Sequence, residues 1–325
     1  MDHSINFKTQ LQEKFLSILP EEEHALYNVA QFHFKDFGKM LRGTTALSVS
    51  KVVGLDINAA IHWGLAVELM HNASLVHDDV CDKDAKRRYN PTIFATFGSP
   101  LAICFGDWLV AKSFEHAVIA LNNAGNKSNK PISLLSKVMA QLSKGQAREF
   151  TGGPVLDWES YNNVVSGKTI PLLAAALEGP LLLADKLQYL DDIRNIIEEL
   201  GLGYQISNDI LDVLGKDGSS IPFSDLNRKA PNAVSITFRN NLKNGHRINF
   251  DKWMSNKTQT KSRDWSMEIK RNGAINNCVK HLKHHLNESR KHQDKLPNEL
   301  QDALLPLVRY LESASTKMYP LTKHS

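Results

Sequence analysis

Two adjacent aspartates, a third one turn later and an arginine pair stand in the segment DDVCDKDAKRR at positions 78–88. On a helix, Asp78 and Asp82 would share one face, with Asp79 about a hundred degrees round the axis. Carboxylates so close together repel each other unless a cation neutralises them. Mg²⁺ is usually bound by one or two carboxylates together with water and phosphate oxygens. The segment therefore predicts a metal-bridged diphosphate site, with an exposed acidic helix end as the alternative.

A second acidic cluster occurs about 130 residues later, in the segment YQISNDILD. It contains Asn208, Asp209 and Asp212, which would again lie on a helix with an apolar background. The amide oxygen of Asn208 can bind Mg²⁺, although it offsets less of the ion's charge than a carboxylate does. Two such helices facing each other would form a metal cage. For this segment alone, a solvated turn of helix is the alternative.

The elements that must position these clusters are predicted to be helices. Apolar residues recur every three or four positions in segments 59–80 and 194–214, and alternating runs of β-branched residues are almost absent. Turn-forming residues separate helical stretches of roughly ten to twenty-five residues. The sequence thus predicts an all-α fold with many helices around one core, in a single domain over residues 1–325. Residues 240–273 are polar and are expected to form a surface excursion.

Composition limits the possible functions and locations. The 325 residues carry a formal net charge of +4 without a concentrated basic face, which argues against nucleic-acid binding. No signal peptide or membrane span is visible, so no stable membrane insertion is expected. Cys81, Cys104 and Cys278 are too widely separated to suggest a zinc motif or a disulfide framework. The predicted location is the cytoplasm.

The two acidic clusters belong to a longer series of motifs that resembles the trans-isoprenyl diphosphate synthases of the polyprenyl synthetase family. In chain order the motifs read FGKMLRG, DDVCDKDAKRR, GQAREF, GKTIPLL, YQISNDILD, SDLNRKAPNAVSI and KLPNELQDALLPLVRYLE. The resemblance implies the isoprenoid synthase fold, a helical bundle around a central cavity, and a homodimer. It also implies Mg²⁺-dependent, head-to-tail condensation of isopentenyl diphosphate with an allylic diphosphate, as in geranylgeranyl and farnesyl diphosphate synthases.

The resemblance assigns metal ligands and diphosphate-binding residues in this chain. Asp78 and Asp82 hold Mg²⁺ ions at the allylic diphosphate, with Asp79 in support and three ions per site. The remaining residues of the metal set are Glu149, Asn208, Asp209 and Asp212. Arg87 contacts the allylic diphosphate and Arg88 contacts isopentenyl diphosphate, because paired guanidinium donors match phosphate oxygens. The other ligands of isopentenyl diphosphate are Lys39, Arg42 and His71.

Further residues serve the reacting carbon under the same resemblance. Gln146 lies near the metal ions, Lys168 contacts the allylic diphosphate and Thr169 lies beside the developing cation. Gln205 matches the glutamine that precedes the second acidic motif. The loop lysines that close over the diphosphates are matched by Lys216 and Lys229. Around Lys229, however, the segment DLNRKAPNA departs from the usual family pattern.

Product length is predicted from the helix that precedes Asp78. The growing prenyl tail would run back along this helix, so Ala73 and Ser74, one turn earlier, would form the first floor of the cavity. Both are small, whereas family members that stop at short products have bulky aromatic residues here. We therefore expect a product of twenty carbons or more. Leu69 and Met70, a further turn back, are candidates for the next floor, with helical core packing as the alternative role.

Three departures from the family pattern keep other functions open. Phe37 and Met40 disturb the first motif, Asn208 replaces an aspartate, and RRY replaces the usual RRG. The alternatives are a class I terpene cyclase on the same fold, a prenyltransferase with a non-isoprenoid acceptor, and a non-catalytic subunit of a heteromeric synthase. A cyclase motif would have glutamate where Lys216 stands, and a cyclase has no use for an isopentenyl diphosphate site. Chain elongation is therefore the leading prediction.

Overall fold

The computed structural model describes residues 3–87, 90–216, 222–256 and 263–318, and helices account for most of them. The fifteen α-helices of this part of the chain are α1 (His3–Leu16), α2 (Tyr27–His33), α3 (Leu41–Val52), α4 (Ile57–Asp82), α5 (Ile93–Asn123), α6 (Lys130–Thr151), α7 (Trp158–Lys168), α8 (Ile170–Leu183), α9 (Leu190–Leu214), α10 (Ser224–Arg228), α11 (Ala233–Asn241), α12 (Asn244–Ser255), α13 (Arg263–Arg271), α14 (Ala274–Gln293) and α15 (Asn298–Met318). The strands β1 (Lys86–Arg87) and β2 (Asn90–Pro91) pair in antiparallel fashion between α4 and α5. The expectation of an all-α fold is confirmed.

The chain folds into two compact units, each made of three separate stretches. The first unit comprises Met1–Leu142, Pro171–Ile197 and His292–Leu307. The second unit comprises Ser143–Ile170, Glu198–Lys291 and Val308–Ser325. The expectation of one domain over residues 1–325 stays a prediction, because compact units of a chain need not be independent domains.

In the first unit, α4 is the central helix, and its residues 63–70 are all buried. Asp56 is the N-cap of this helix, and its side chain accepts hydrogen bonds from two N–H groups of the first turn. Trp63 is fully buried, and its Nε1 donates to the Ala175 carbonyl oxygen of α8 at 2.9 Å. A Cβ at Gly179 would stand 2.2 Å from the Trp63 ring. Glycine at that position therefore allows α4 and α8 to pack closely.

The long helix α5 packs one face against α4. Phe105 and Leu109 on this face are fully buried, whereas Leu101, Ile103 and Val118 are exposed. Within the described residues, α5 is the one helix long and apolar enough to cross a membrane by length and composition. Helices in the core of a globular protein meet the same criterion. The expectation of no stable membrane insertion therefore stays a prediction.

In the second unit, aromatic side chains hold α11, α12 and α13 together. Phe238, Phe250, Trp253 and Trp265 contact one another, with ring centroids between 5.2 and 6.4 Å apart. Phe250, Trp253 and Met254 are buried. The segment 240–273 is therefore not wholly a surface excursion, because a few apolar residues at helical spacing give its polar sequence a buried face.

Candidate active site

The first acidic cluster lies in the last turn of α4. Asp78 and Asp82 are half-buried, and Lys83 ends the helix in a left-handed conformation with a φ of 56°. The carboxyl end of a helix carries negative partial charge, so aspartates there are electrostatically unfavourable unless a cation binds. Their hard oxygen donors are those that Mg²⁺ prefers. Among the described residues, no three His, Cys, Asp or Glu side chains converge on one metal position, so other ligands would come from water and diphosphate.

Asp79 has different surroundings, because it is only 6% exposed and is ion-paired with Arg87. The Nε and Nη2 atoms of Arg87 both lie 2.8 Å from Asp79 Oδ1. Burial raises the pKa of the Asp79 carboxyl, and the charge and hydrogen bond of Arg87 oppose that rise. Asp79 and the β1–β2 pair thus orient Arg87 beside the end of α4. Its neighbour Arg88 lies outside the described residues.

The amino-terminal end of α3 is fixed against α4 in the first unit. Buried Glu68 accepts a hydrogen bond at 2.8 Å from the N–H of Gly43, in the first turn of α3. One turn after Glu68, His71 contacts Arg42, with its Nε2 atom 3.2 Å from Arg42 Nη1. Lys39 is exposed two residues before the helix begins. A helix amino terminus with two basic side chains is suited to bind phosphate oxygens.

Two departures from the family's first motif have a packing explanation. The Phe37 ring stacks on Phe34, with ring centroids 5.5 Å apart, and lies 5.7 Å from the Phe15 ring. Met40 is buried in the same hydrophobic core. Both residues thus fill the core beside α3, and the basic residues Lys39 and Arg42 keep their positions.

The predicted floor residues lie on α4 within the core of the first unit. Leu69 and Ala73 belong to one buried apolar cluster and Met70 to another. Ser74 is half-buried, and its Oγ donates to the His71 carbonyl oxygen at 2.8 Å. Leu69, Met70 and Ala73 pack in the hydrophobic core of this structure, so their role in product length stays a prediction.

In the second unit, two glycines bring α6 and α7 together. A Cβ at Gly145 would stand 2.7 Å from the Gly167 carbonyl oxygen, so any side chain there would separate the helices. Beside this crossing, Lys168 Nζ lies 2.7 Å from Glu149 Oε1. Gln146, next to Gly145 in the chain, is half-buried. The crossing thus joins a predicted metal-site carboxylate to a predicted diphosphate ligand.

The second acidic motif lies on α9, next to the junction of α7 and α8. Thr169 Oγ1 donates to Gln205 Oε1, and Gln205 Nε2 donates to Asp209 Oδ1, both at 2.8 Å. Asp209 Oδ2 accepts from the Tyr161 hydroxyl and from the Ala233 N–H, both at 2.7 Å. Asp209 is 0% exposed, and this burial raises its pKa to about 8 while the three hydrogen bonds oppose the rise.

The other two members of the second motif differ from each other. Asp212 is buried, and its Oδ1 accepts hydrogen bonds from the N–H and Oγ of Ser224, at the start of α10. Asn208 is half-buried, and its side chain makes no hydrogen bond to another described residue. A metal ion at Asp209 or Asp212 would compete with the donors that these carboxylates already bind. Asn208 has no such donor among the residues that the structure describes.

The two lysines that are predicted to close over the diphosphates follow α9 and α10, respectively. Lys216 is exposed at the end of the described stretch 90–216. Lys229 has a φ of 57°, and its ammonium group lies 4.7 Å from the centre of the Trp253 ring and contacts the Asn256 carbonyl oxygen. In this structure Lys229 thus packs against α12.

The sequence did not assign a role to Tyr161 or to Glu68. Neither stands in a charged motif, and their partners Asp209 and Gly43 are 48 and 25 residues away in the chain. A buried glutamate within an apolar helix is the one signal that the sequence offered, because such a residue needs a hydrogen-bond partner.

Comparisons with known proteins agree with the motifs. A family model described as polyprenyl synthetase matches residues 23–267. A geranylgeranyl diphosphate synthase of Saccharolobus solfataricus is 38% identical over 202 residues, covering 58% of this chain and 58% of that protein. A geranylgeranyl pyrophosphate synthase of Geoglobus acetivorans is 33% identical over 211 residues, covering 63% of this chain and 66% of that protein. The chain thus spans less than two thirds of the length of the curated relatives it matches.

A solved structure shares the fold over nearly the whole chain. The crystal structure of a geranylgeranyl pyrophosphate synthetase from Pyrococcus horikoshii matches with a TM-score of 0.80 and 25% sequence identity. The match covers 95% of this chain and 96% of that chain. The all-α arrangement described above is therefore the fold of the prenyl synthases.

Proposed function

The chain belongs to the polyprenyl synthetase family, and on that premise we propose that it condenses isopentenyl diphosphate with an allylic diphosphate, head to tail. The product is a longer trans-prenyl diphosphate of twenty carbons or more, in keeping with the geranylgeranyl diphosphate synthases to which the chain is similar. The observation that carries the proposal is the acidic end of α4 beside Arg87, with the basic start of α3 against the same helix.

The residues at the end of α4 fit Mg²⁺, and we propose Asp78 and Asp82 as its ligands. When bound, Mg²⁺ supplies positive charge that stabilises the departing diphosphate. Three ions per site, with Glu149 and Asn208 as further ligands, are proposed from the family resemblance. Asp209 and Asp212 are the remaining candidates, and they would first have to exchange the hydrogen bonds that now engage them.

In the first unit, the basic residues have two proposed tasks. Arg87, held by Asp79, binds the diphosphate of the allylic substrate. Lys39, Arg42 and His71 bind isopentenyl diphosphate, aided by the amino-terminal end of α3. A guanidinium group held in one orientation loses less conformational entropy when a phosphate binds, which favours Arg87 for this role. Arg88 is proposed as a further ligand of isopentenyl diphosphate from the resemblance alone.

In the second unit, the residues around the α6–α7 crossing serve the leaving group and the cation. Lys168, paired with Glu149, contacts the allylic diphosphate, and Gln146 lies near the metal ions. Thr169, hydrogen-bonded to Gln205, stabilises positive charge at the reacting carbon. Lys216 and Lys229 close over the diphosphates, which for Lys229 requires release from Trp253. Together these groups exclude water that would otherwise quench the cation.

The reaction balances without a further reactant. The allylic C–O bond breaks, and its electron pair leaves with diphosphate. The double bond of isopentenyl diphosphate attacks the resulting allylic cation and forms the new C–C bond. Loss of a proton to the departed diphosphate restores an alkene. The growing tail runs back along α4, where Ala73 and Ser74 form the first floor and Leu69 and Met70 the next.

A class I terpene cyclase is the second candidate function, and Asn208 is the observation that favours it. Cyclases of this fold use a metal motif that contains asparagine, and Asn208 is the second-motif residue whose side chain has no hydrogen bond to another described residue. Against this, Lys216 stands where that motif has glutamate. Arg42 and His71, which contact each other, are proposed ligands of isopentenyl diphosphate, and a cyclase would not need them in that role.

We further propose a cytoplasmic homodimer. The free thiols of Cys81, Cys104 and Cys278 in the described part of the chain fit a reducing compartment. Exposed apolar side chains on α5 offer a surface that a second copy would cover. Light scattering coupled to size-exclusion chromatography would give twice the chain mass for a dimer and the chain mass for a monomer.

Product analysis tests the proposed function. The purified protein is incubated with Mg²⁺, labelled isopentenyl diphosphate and dimethylallyl, geranyl or farnesyl diphosphate as primer. We expect labelled prenyl diphosphates of twenty carbons or more. A product of fifteen carbons would contradict the predicted role of Ala73 and Ser74 in product length, but it would still support chain elongation. Hydrocarbon or alcohol formed from the primer alone, without incorporation of label, would show that the chain is a cyclase.

A further inference from the structure

Four side chains of the second unit form one chain of hydrogen bonds that ends at Thr169. The Thr169 hydroxyl donates to Gln205 Oε1, and Gln205 Nε2 donates to Asp209 Oδ1. At the other end, the Tyr161 hydroxyl donates to Asp209 Oδ2. Tyr161 and Asp209 are both buried, so bulk water does not compete for their hydrogen bond.

The direction of each bond in this chain follows from Asp209. Both Asp209 oxygens accept hydrogen bonds in this structure, so the Gln205 amide turns its NH₂ group toward Asp209 and its oxygen toward Thr169. Thr169 must then donate its hydroxyl hydrogen to that oxygen, and the lone pairs of its hydroxyl point elsewhere. A reversed amide would make Thr169 an acceptor and turn its hydrogen outward. The electrostatic effect on a nearby cation would then change sign.

Tyr161 secures the carboxylate end of this arrangement. Asp209 Oδ2 accepts from Tyr161 and from the Ala233 N–H, so three donors together fix the plane of the carboxylate. The buried Tyr161 hydroxyl lies 2.7 Å from Asp209 Oδ2 and donates its hydrogen to that oxygen. Without this hydroxyl the carboxylate can rotate about its remaining contacts. The Gln205 amide would then be held less firmly in one orientation.

We propose that Tyr161 is a positioning residue, which acts through Asp209 and Gln205 to keep the lone pairs of the Thr169 hydroxyl facing the developing carbocation. The inference rests on the proposed function, which places Thr169 beside that cation. It gives Asp209 an orienting role within the protein. Tyr161 itself does not touch substrate.

Kinetics of Tyr161→Phe test the inference, because this change removes one hydroxyl and keeps the ring that packs against Trp158. We expect kcat for elongation to fall about tenfold, as for loss of one buried hydrogen bond, with an unchanged KM for isopentenyl diphosphate. Tyr189→Phe is the matched control, since the Tyr189 hydroxyl bonds to no other described residue. An unchanged kcat in Tyr161→Phe would overturn the inference.

A double-mutant cycle separates positioning from general structural damage. In a Thr169→Val background no hydroxyl remains to be oriented, so Tyr161→Phe should change kcat by less than about twofold. In a Thr169→Ser background, where the hydroxyl is kept, the roughly tenfold effect should return. Equal effects of Tyr161→Phe in all three backgrounds would mean that Tyr161 acts on stability alone.

A measurement that does not need turnover separates this inference from the proposed function. If the unaltered protein fails to elongate any primer, the proposed function is wrong, but the hydrogen-bond chain can still be tested. In ¹⁵N-labelled protein, the Gln205 side-chain NH₂ protons should be protected from exchange, and Tyr161→Phe should reduce that protection at least about tenfold. Equal protection in both proteins would show that Tyr161 does not hold the amide.

Discussion

At the residue scale, the aspartates at the end of α4 have different tasks because their surroundings differ. Asp78 and Asp82 share a half-buried face, whereas Asp79 lies beneath the Arg87 guanidinium. A carboxylate that already accepts two charge-assisted hydrogen bonds has less capacity for a metal ion. We therefore propose metal binding for Asp78 and Asp82 and orientation of Arg87 for Asp79.

Asp79→Asn tests this assignment. The change keeps the shape of the side chain and removes its charge, so Arg87 loses the partner that holds it. We expect the KM for the allylic diphosphate to rise about tenfold and the free energy of unfolding to fall by about 1 kcal/mol, since Arg87 is partly exposed. Asp107→Asn, at a largely exposed position, is the control and should change neither quantity. A loss of Mg²⁺ affinity with normal KM would instead make Asp79 a metal ligand.

Ser74→Phe tests the predicted floor of the product cavity. Ser74 is preferable to Ala73, because Ala73 is fully buried and a large side chain there would disturb the core. A phenyl group at Ser74 should stop chain growth early, and product analysis should show fifteen carbons or fewer. Ile57→Phe, at an exposed position on the same helix, should leave product length unchanged. Unaltered products from Ser74→Phe would place the floor on another helix.

At the element scale, the sequence predicted the helices that carry the motifs but not the contacts that orient them. Periodicity located α4 and α9, because a buried face repeats every three or four residues. The α6–α7 crossing depends on two glycines 22 positions apart, and Glu68 meets the start of α3 across 25 residues. A single sequence does not reveal such pairings, because each depends on how two helices pack. For the same reason the sequence did not reveal the hydrogen bonds that Asp209 and Asp212 accept, and their role as metal ligands stays a prediction.

Gly145→Ala tests the importance of the α6–α7 crossing. The added methyl group would meet the Gly167 carbonyl oxygen at 2.7 Å, and backbone cannot move aside as a side chain can. The helices should separate and shift Lys168 from Glu149, with kcat falling at least about tenfold because small misplacements of reacting groups are costly. Gly245→Ala is the matched control, since among the described residues no atom outside its own stretch of helix lies within 4 Å of the added methyl group. Normal activity in Gly145→Ala would show that the crossing tolerates expansion.

A histidine pair between α4 and α5 should make stability depend on pH. The Nδ1 atoms of His62 and buried His116 are 2.8 Å apart, which requires at least one neutral ring. Burial, His62 and the nearby Lys14 and Lys112 lower the pKa of His116 to about 4, and only Glu115 opposes this among the groups that act on it. The unfolded chain, with an ordinary histidine pKa near 6.5, therefore binds the proton more readily. The free energy of unfolding should rise with pH from about 4 to about 6.5 and stay level above.

Denaturant unfolding of His116→Leu checks this prediction. In the variant, the free energy of unfolding should increase between pH 4 and 6.5 by about 1–2 kcal/mol less than in the unaltered protein. This figure allows for solvent near half-buried His62. Some rise should remain, because burial also lowers the pKa of His33 to about 4. His284→Leu, which changes a largely exposed histidine, is the control and should keep the full rise. An identical pH dependence in His116→Leu and the unaltered protein would contradict the prediction.

At the scale of the whole molecule, Mg²⁺ and diphosphate should stabilise the protein only together. Carboxylates at a helix carboxyl end repel a lone diphosphate, and Mg²⁺ alone lacks enough ligands there. At concentrations a hundredfold above Kd, the two should add about 2.7 kcal/mol and raise Tm by several degrees. Chelation with EDTA should remove the increase, and an Asp78→Asn/Asp82→Asn double variant should not show it. An equal increase from diphosphate in EDTA would mean that basic residues alone bind it.

The division of the chain into interleaved stretches has a consequence for its synthesis. The first unit contains Met1–Leu142 but also needs His292–Leu307. At about 5–20 residues per second, a ribosome takes roughly seven to thirty seconds to make the chain that separates these stretches. Throughout that time α4 and α5, with their apolar faces, have emerged without all of their partners. The nascent protein should therefore depend on chaperones more than a protein whose first domain is contiguous.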